Sequence, residues 1–145
     1  MAGTGSVTRS PELLCAYLQT TYRVLANSGP IDLRVGTGSA QLDSLLLASQ
    51  SRTWAIVTAS NPRSQQLPEQ ENAARNEQMM LAIRAGGWRC IDALGVPDDA
   101  DWVAEQSFLV IGINRDDARE LARRWNQNAF VCGRRGEPAQ LAWVE

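Results

Sequence analysis

The chain contains no histidine and no lysine; all fourteen of its basic residues are arginine. A Ser-His-Asp or Cys-His pair is therefore excluded within one chain. So are histidine metal ligands, a Schiff-base lysine and a phosphate loop that depends on its lysine. Any chemistry has to come from carboxylates, hydroxyls, amides, thiols or arginine. The missing lysine has a plainer reading too, codon bias in a GC-rich genome. Cysteine is scarce: Cys15, Cys90 and Cys132 are odd in number and far apart, with no C-x-x-C pair. That spacing supports neither zinc binding nor dithiol redox chemistry. Reduced, buried thiols in a cytosolic protein are the expectation. Long apolar runs are missing as well, since the longest, residues 108–113, is too short to span a bilayer. Residues 1–9 are small and polar, with no apolar stretch behind a basic cluster, which argues against a signal peptide. Nor does one sign of charge dominate. Fourteen basic against sixteen acidic residues leave −2, too little to recruit nucleic acid or an anionic membrane.

What is present suits one ordinary core. A chain of 145 residues can bury about two thirds of its unfolded surface, and 44% hydrophobic residues supply the material. A disordered lead over 1–9 and a single globular α/β domain over 10–145 are expected. Ser10-Pro11-Glu12 marks a helix start by a hydroxyl cap, a first-turn proline and an acid at the positive end. Leu14, Tyr17, Leu18 and Thr21 are its expected inner stripe. Residues 22–25 and 31–35 read as strands of a hairpin around Asn27-Ser28-Gly29-Pro30. A second helix follows Ser39, with Leu42, Leu45, Leu46 and Ser49 at helical spacing. Residues 54–58 form a compact apolar strand. A third helix opens at Pro68-Glu69 and stops at Gly86-Gly87. Strands are expected over 88–93 and 107–113, the latter buried on both faces because its apolar residues run without alternation. Asn114 caps a fourth helix, where Ala118, Leu121, Ala122 and Trp125 make a clean amphipathic stripe. Strands over 129–132 and 140–144 close the chain. The order α-ββ-α-β-α-β-β-α-β-β predicts an α+β or irregular α/β fold, with a single mixed β-sheet flanked by about four helices.

Candidate functional residues cluster at element ends. Thr58, Ser60, Asn61, Arg63 and Ser64 follow a buried strand, where sheet proteins usually place ligands. Their plainer reading is an Asx-turn made by Asn61. Asn72 lies on the apolar face of the third helix with Met79 and Ile83. An unpaired buried amide there would cost ~1–3 kcal/mol, so Asn72 must bond something, and the Asn61 loop is the nearest segment. Bracing that loop or touching a ligand are both open. Glu105, with Ser107, lies at the edge of the most apolar strand. It is the best single candidate for an acid, base or nucleophile in a chain without histidine or lysine. Its plainer readings are an exposed loop acid or a salt bridge to one of the arginines. Gln127-Asn128 ends the fourth helix, either for backbone reasons or as a pair of amides aimed at the same cleft. Gly36-Thr37-Gly38-Ser39 has the outline of a phosphate cradle, but lacks a third glycine and a lysine, and Ser39 is explained as a cap.

These segments resemble a bacterial family known only as domain of unknown function 3293. The resemblance is carried by Ala16-Tyr17, Thr21-Tyr22, Leu33-Arg34-Val35-Gly36 and the run from Trp54 to Ser64. It continues through Glu71-Asn72-Ala73-Ala74-Arg75, Gly87-Trp88, Glu105-Gln106-Ser107 and Gln127-Asn128-Ala129, covering nearly all of the chain from about Glu12. Where the family often has Glu-Pro-Ser, this chain has Glu105-Gln106-Ser107, and it also departs at Gly38. The resemblance implies a stand-alone cytoplasmic protein and brings no activity. It implies that Thr58, Asn61, Ser64, Asn72, Glu105, Ser107, Gln127 and Asn128 are the family's polar signature.

The functional expectation is a small polar ligand, nucleotide- or sugar-like, in a metal-free cleft. Thr58, Asn61, Ser64 and Asn72 would orient it, Arg63 would pair an anionic group, and Glu105 would supply any acid, base or nucleophile. No cofactor, no membrane and no nucleic acid are called for, and a monomer and a homodimer both fit. The alternative is a protein-interaction or regulatory module in which the polar signature is structural.

Overall fold

The computed structural model describes residues 10–99 and 101–145. The expected disordered lead over 1–9 lies outside the described residues. Helix α1 spans Pro11–Leu18, and the Ser10 hydroxyl accepts from the Leu13 amide at 3.1 Å, as its cap motif requires. Its inner face differs from the expected one. Leu14 and Leu18 are exposed, at 39% and 43%, while Leu13 and Tyr17 are half-buried. At eight residues the helix touches the fold along one narrow line, and none of its residues is fully buried. Cys15 therefore lies exposed on its outer side, contrary to the expected burial, whereas Cys90 is half-buried and Cys132 buried.

Strands β1 (Thr20–Ala26) and β2 (Gly29–Leu33) form the hairpin, closed where Ala26 pairs with Gly29. Helix α2 spans Ala40–Ala48 behind its Ser39 cap. Strand β3 (Thr53–Val57) and helix α3 (Glu69–Ala85) follow, separated by the long irregular loop. Strand β4 runs Arg89–Pro97, further than its apolar run suggested. The expected strand ended at residue 93, yet Leu94 and Gly95 are held between β1 and β5 (Glu105–Ile111), Gly95 pairing with both Tyr22 and Glu105, and Val96 and Pro97 continue the pairing with β1. Helix α4 (Arg115–Arg124), capped by Asn114, precedes β6 (Ala129–Arg134) and β7 (Gln140–Trp143).

The seven strands make one sheet in the order β2-β1-β4-β5-β3-β6-β7. All six ladders are antiparallel, and the one parallel pairing among the described residues is the isolated bridge Val35–Ala139. The connections dictate this arrangement. A strand returning by a short turn must run antiparallel, and here the longer loops also bring strands back antiparallel, β3 lying between β5 and β6. Strand β5 is central and, as its unbroken apolar run implied, buried from Ser107 to Ile111.

Each sheet face carries its own core. One, with Val57, Phe108, Val110 and Phe130, is covered by α3 and α4 through Met79, Ile83, Leu121 and Ala122. The other, with Val24, Trp54, Ile56 and Leu109, is covered by Leu42 and Leu46 of α2. Trp54 is 2% exposed and lies across β6, where it pairs with Gly133. A Cβ on Gly133 would sit 2.8 Å from the indole. Overpacking of this kind costs ~1–3 kcal/mol. Gly133→Ala should therefore lower the urea midpoint by that equivalent with an unchanged m-value, and an unaltered midpoint would show that the indole has room to move.

Among the described residues no helix is long and apolar enough to cross a membrane.

Candidate functional site

The loop after β3 takes an uncommon path. Asn61, Arg63 and Ser64 all have positive φ (46°, 52° and 62°), which side-chain-bearing residues rarely adopt. A single tight turn over Pro62–Ser64 results. Left-handed residues cost about 1 kcal/mol or more each, so neighbours must hold them.

Asparagines of α3 do so. Asn72 Oδ1 accepts from the Asn61 amide at 2.9 Å, while Asn72 Nδ2 donates to Asn61 Oδ1 at 2.8 Å. Asn61 Oδ1 also accepts from the Leu67 amide. One turn later Asn76 is wholly buried. Its Oδ1 accepts from the Ala59 amide at 2.9 Å, and its Nδ2 donates to Ser60 Oγ at 2.8 Å and to the Asn72 carbonyl at 3.0 Å. Arg75 ties two segments together: Nε donates to the Ala59 carbonyl and a terminal nitrogen to the Trp125 carbonyl, both at 2.7 Å. From the far side Gln127 Nε2 donates to the Ser60 carbonyl at 3.0 Å. Thr58 Oγ1 donates to the Gln106 carbonyl at 2.6 Å, joining the loop to β5.

The braced loop presents one group to the acid. Asn61 Nδ2 donates to Glu105 Oε2 at 2.9 Å. Glu105 is neither an exposed loop acid nor salt-bridged to an arginine in any described ion pair. It opens β5 and faces a cavity of about 280 Å³ between α1 and the sheet. Tyr17 of α1 and Tyr22 of β1 line that cavity, and the exposed Trp102 and Val103 form part of its wall. Gly95 explains part of the hollow. It stands between Tyr22 and Glu105 in one cross-sheet row, so no side chain fills the space between them. Beside it Ser107 also lines the cavity, though its Oγ is itself closed off from the hollow and has no hydrogen-bond partner among the described residues.

Burial raises the Glu105 pKa above the ordinary carboxylate range, opposed by the Asn61 hydrogen bond. Burial likewise pushes both the Tyr17 and Tyr22 phenols upward, followed for Tyr17 by the nearby Glu105 charge and for Tyr22 by Tyr17 and then Glu105. Glu105 binds its proton more tightly folded than unfolded, so its contribution is full below the unfolded value and is lost as pH rises through the folded one. Glu105→Gln keeps an acceptor for Asn61 and removes the buried charge. Its melting temperature should exceed that of the wild type at pH 7.5, with the difference closing below about pH 4. Parallel pH profiles for the two proteins would contradict this.

The sequence-selected residues separate into groups. Thr58, Asn61, Ser64, Glu105, Ser107 and Gln127 line the cavity. Asn72 does not; it braces Asn61, as its place on the apolar helix face required. Asn128 donates from Nδ2 to Ser64 Oγ at 3.0 Å, while its Oδ1 is buried without a partner among the described residues. Arg63 is not in this cavity; it lines a second, small hollow, together with Gln127 and Asn128. The left-handed residue after α4 is Asn126 (φ 57°), not Gln127 or Asn128. Ser39 caps α2, as its position suggested, rather than closing a phosphate cradle. Asn76, Tyr17 and Tyr22 were not selected. Asn76 had a signal, lying four residues after Asn72 on the same helix face. The tyrosines had one too, standing in two of the segments that carry the resemblance, but only the sheet order brings β1, and Tyr22 with it, next to β4 and so toward Glu105. Among the described residues no group of three His, Cys, Asp or Glu side chains is placed to hold a metal ion.

Comparison with known proteins adds a family and no activity. No curated protein and no solved structure matches the chain. The family described as "Protein of unknown function (DUF3293)" matches residues 57–130, from the end of β3 to the start of β6. That span holds the braced loop, both α3 asparagines, Glu105, Ser107, Gln127 and Asn128, and with just over half of its length matched the chain belongs to the DUF3293 family.

Proposed function

We propose that the protein binds a small polar ligand, sugar- or nucleotide-like in size, in the cavity between α1 and the sheet, with Glu105 as its acid or base. One observation carries this reading. A half-buried carboxyl held by a single amide faces a hollow that the polar side chains of Thr58, Ser64 and Gln127 also line. Leaving a carboxylate oxygen there unpaired costs free energy, and a ligand group recovers it. The volume, about 280 Å³, is at the lower end for small-molecule pockets. It suits one ring system rather than a polymer.

The surrounding hydrogen bonds divide the labour. Asn72, Asn76 and Arg75 hold the strained loop, and so hold Asn61 against Glu105. A raised pKa brings a carboxyl nearer to neutral pH, where it can give and take a proton. Tyr17 and Tyr22 wall the reacting end, and apolar Ile56 and Val131 line the cavity on the sheet side.

The test is a thermal-shift screen of nucleotides, nucleosides, sugars and amino acids on wild type and Gly95→Leu. The leucine side chain would occupy the cavity floor, since a Cβ at Gly95 meets nothing closer than 3.7 Å. A compound that raises the melting temperature of the wild type alone supports the reading. Equal shifts in both proteins would place binding elsewhere.

A further inference from the structure

Resting on the reading of the cavity as a ligand site, we propose that its ligand is an unphosphorylated, ring-sized amine or N–H-bearing heterocycle, recognised by Glu105 and the tyrosines Tyr17 and Tyr22.

Phosphate recognition calls for arginine, lysine or converging backbone N–H groups. The chain is rich in arginine, yet among the described residues none lines this cavity. Arg34, which acts on Tyr22, is the nearest in effect, and its guanidinium is already committed. It holds Asp98 through two contacts of 2.8 and 3.0 Å, together with Thr21 Oγ1 and the Leu18 carbonyl. Arg63, the other candidate for an anion, lines a different hollow. A phosphate inside would meet Glu105 with no cation to offset it, and like charges at short range repel strongly where water is excluded.

The groups that do face inward favour the opposite partner. Glu105 Oε2 accepts from Asn61, and Oε1 has no hydrogen-bond partner among the described residues. That leaves an open acceptor. Two phenol rings and the Trp102 indole line the cavity around it. Aromatic faces attract cations and stack on flat heterocycles. A carboxyl beneath aromatic walls, with no positive charge inside, is complementary to a donor-rich nitrogen group on a ring.

The experiment uses matched probe pairs with the full chain, read by thermal shift and calorimetry. Adenosine is compared with adenosine 5′-monophosphate and with purine riboside, which has neither an exocyclic amine nor a ring N–H, and glucosamine with glucose and glucosamine 6-phosphate. The amino-bearing, unphosphorylated member of a pair should bind at least tenfold more tightly than its mates. Glucosamine binding should strengthen as pH rises and Glu105 ionises, since the other groups facing Glu105 (Asn61, Ser107, Tyr17 and Tyr22) hold their charge state below the phenol range. Glu105→Gln should abolish the preference for the amine. Equal or tighter binding of a phosphorylated or amine-free mate, lost in Gly95→Leu, would overturn this assignment and leave the cavity reading intact. No binding by any probe or by any compound of the wider screen would overturn both.

Discussion

Replacing Asn76 by alanine should cost the protein about 3 kcal/mol and lower its melting temperature by roughly 10 °C. The side chain is wholly buried and completes three hydrogen bonds, to the Ala59 amide, Ser60 Oγ and the Asn72 carbonyl. Alanine would strand the Ala59 N–H in the core, where Ala59 is itself fully buried. A buried donor left unpaired costs ~1–3 kcal/mol, and the lost amide contacts add to it. At this chain length each kcal/mol moves the melting temperature by about 4 °C. Asn72→Ala is the comparison, because Asn72 is only half-buried and its partners can turn to water, so about 1–2 kcal/mol is expected there. Thermal and urea unfolding of both variants decide the matter. An Asn76→Ala protein that melts within two degrees of wild type, or above Asn72→Ala, would mean that the loop holds itself.

Asn61→Asp should convert the site into a pair of facing carboxyls and make stability steeply dependent on pH. The substitution leaves Oδ1 in place for the Leu67 amide and Asn72. It replaces the nitrogen that now donates to Glu105 at 2.9 Å with a second oxygen. Two carboxyls at that distance share one proton, since both cannot ionise without repulsion, and one of their titrations moves well upward. Between the unfolded and the raised folded value the native state holds the extra proton, so stability falls as pH rises across that window. An uncompensated buried charge costs ~3–5 kcal/mol, so the variant should melt near wild type at pH 4 and at least 10 °C below it at pH 8. Wild type slopes the same way because of Glu105 burial, but less steeply, since Asn61 offsets part of the effect. Glu105→Gln combined with Asn61→Asp should restore the shallow profile, because the glutamine amide can donate to the new carboxylate. If the double variant keeps the steep profile, the 61–105 contact is not its origin.

The local signals were legible wherever chemistry acts over a few residues. Ser10, Ser39 and Asn114 cap their helices because each oxygen reaches an amide three residues on, whatever the tertiary context. The unbroken apolar run of β5 implied a strand covered on both sides, and it is one. The bond between Asn72 and the Asn61 loop followed from the cost of burying an amide alone. The inner face of α1 was not legible. With Leu13, Leu14, Tyr17 and Leu18 all apolar, local pattern leaves several faces equivalent, and contact with the sheet selects Leu13 and Tyr17.

By itself, then, the sequence determined the order of elements, the caps, the excluded chemistries and the polar residues at element ends. These depend on backbone reach, charge and the desolvation of single groups. Only the tertiary structure decided that β4 lies between β1 and β5, and with it that Tyr22, Gly95 and Glu105 share one row. Strand order is set by how two whole faces bury their apolar area, a sum over the chain that no local window contains. The cavity is a consequence of that sum.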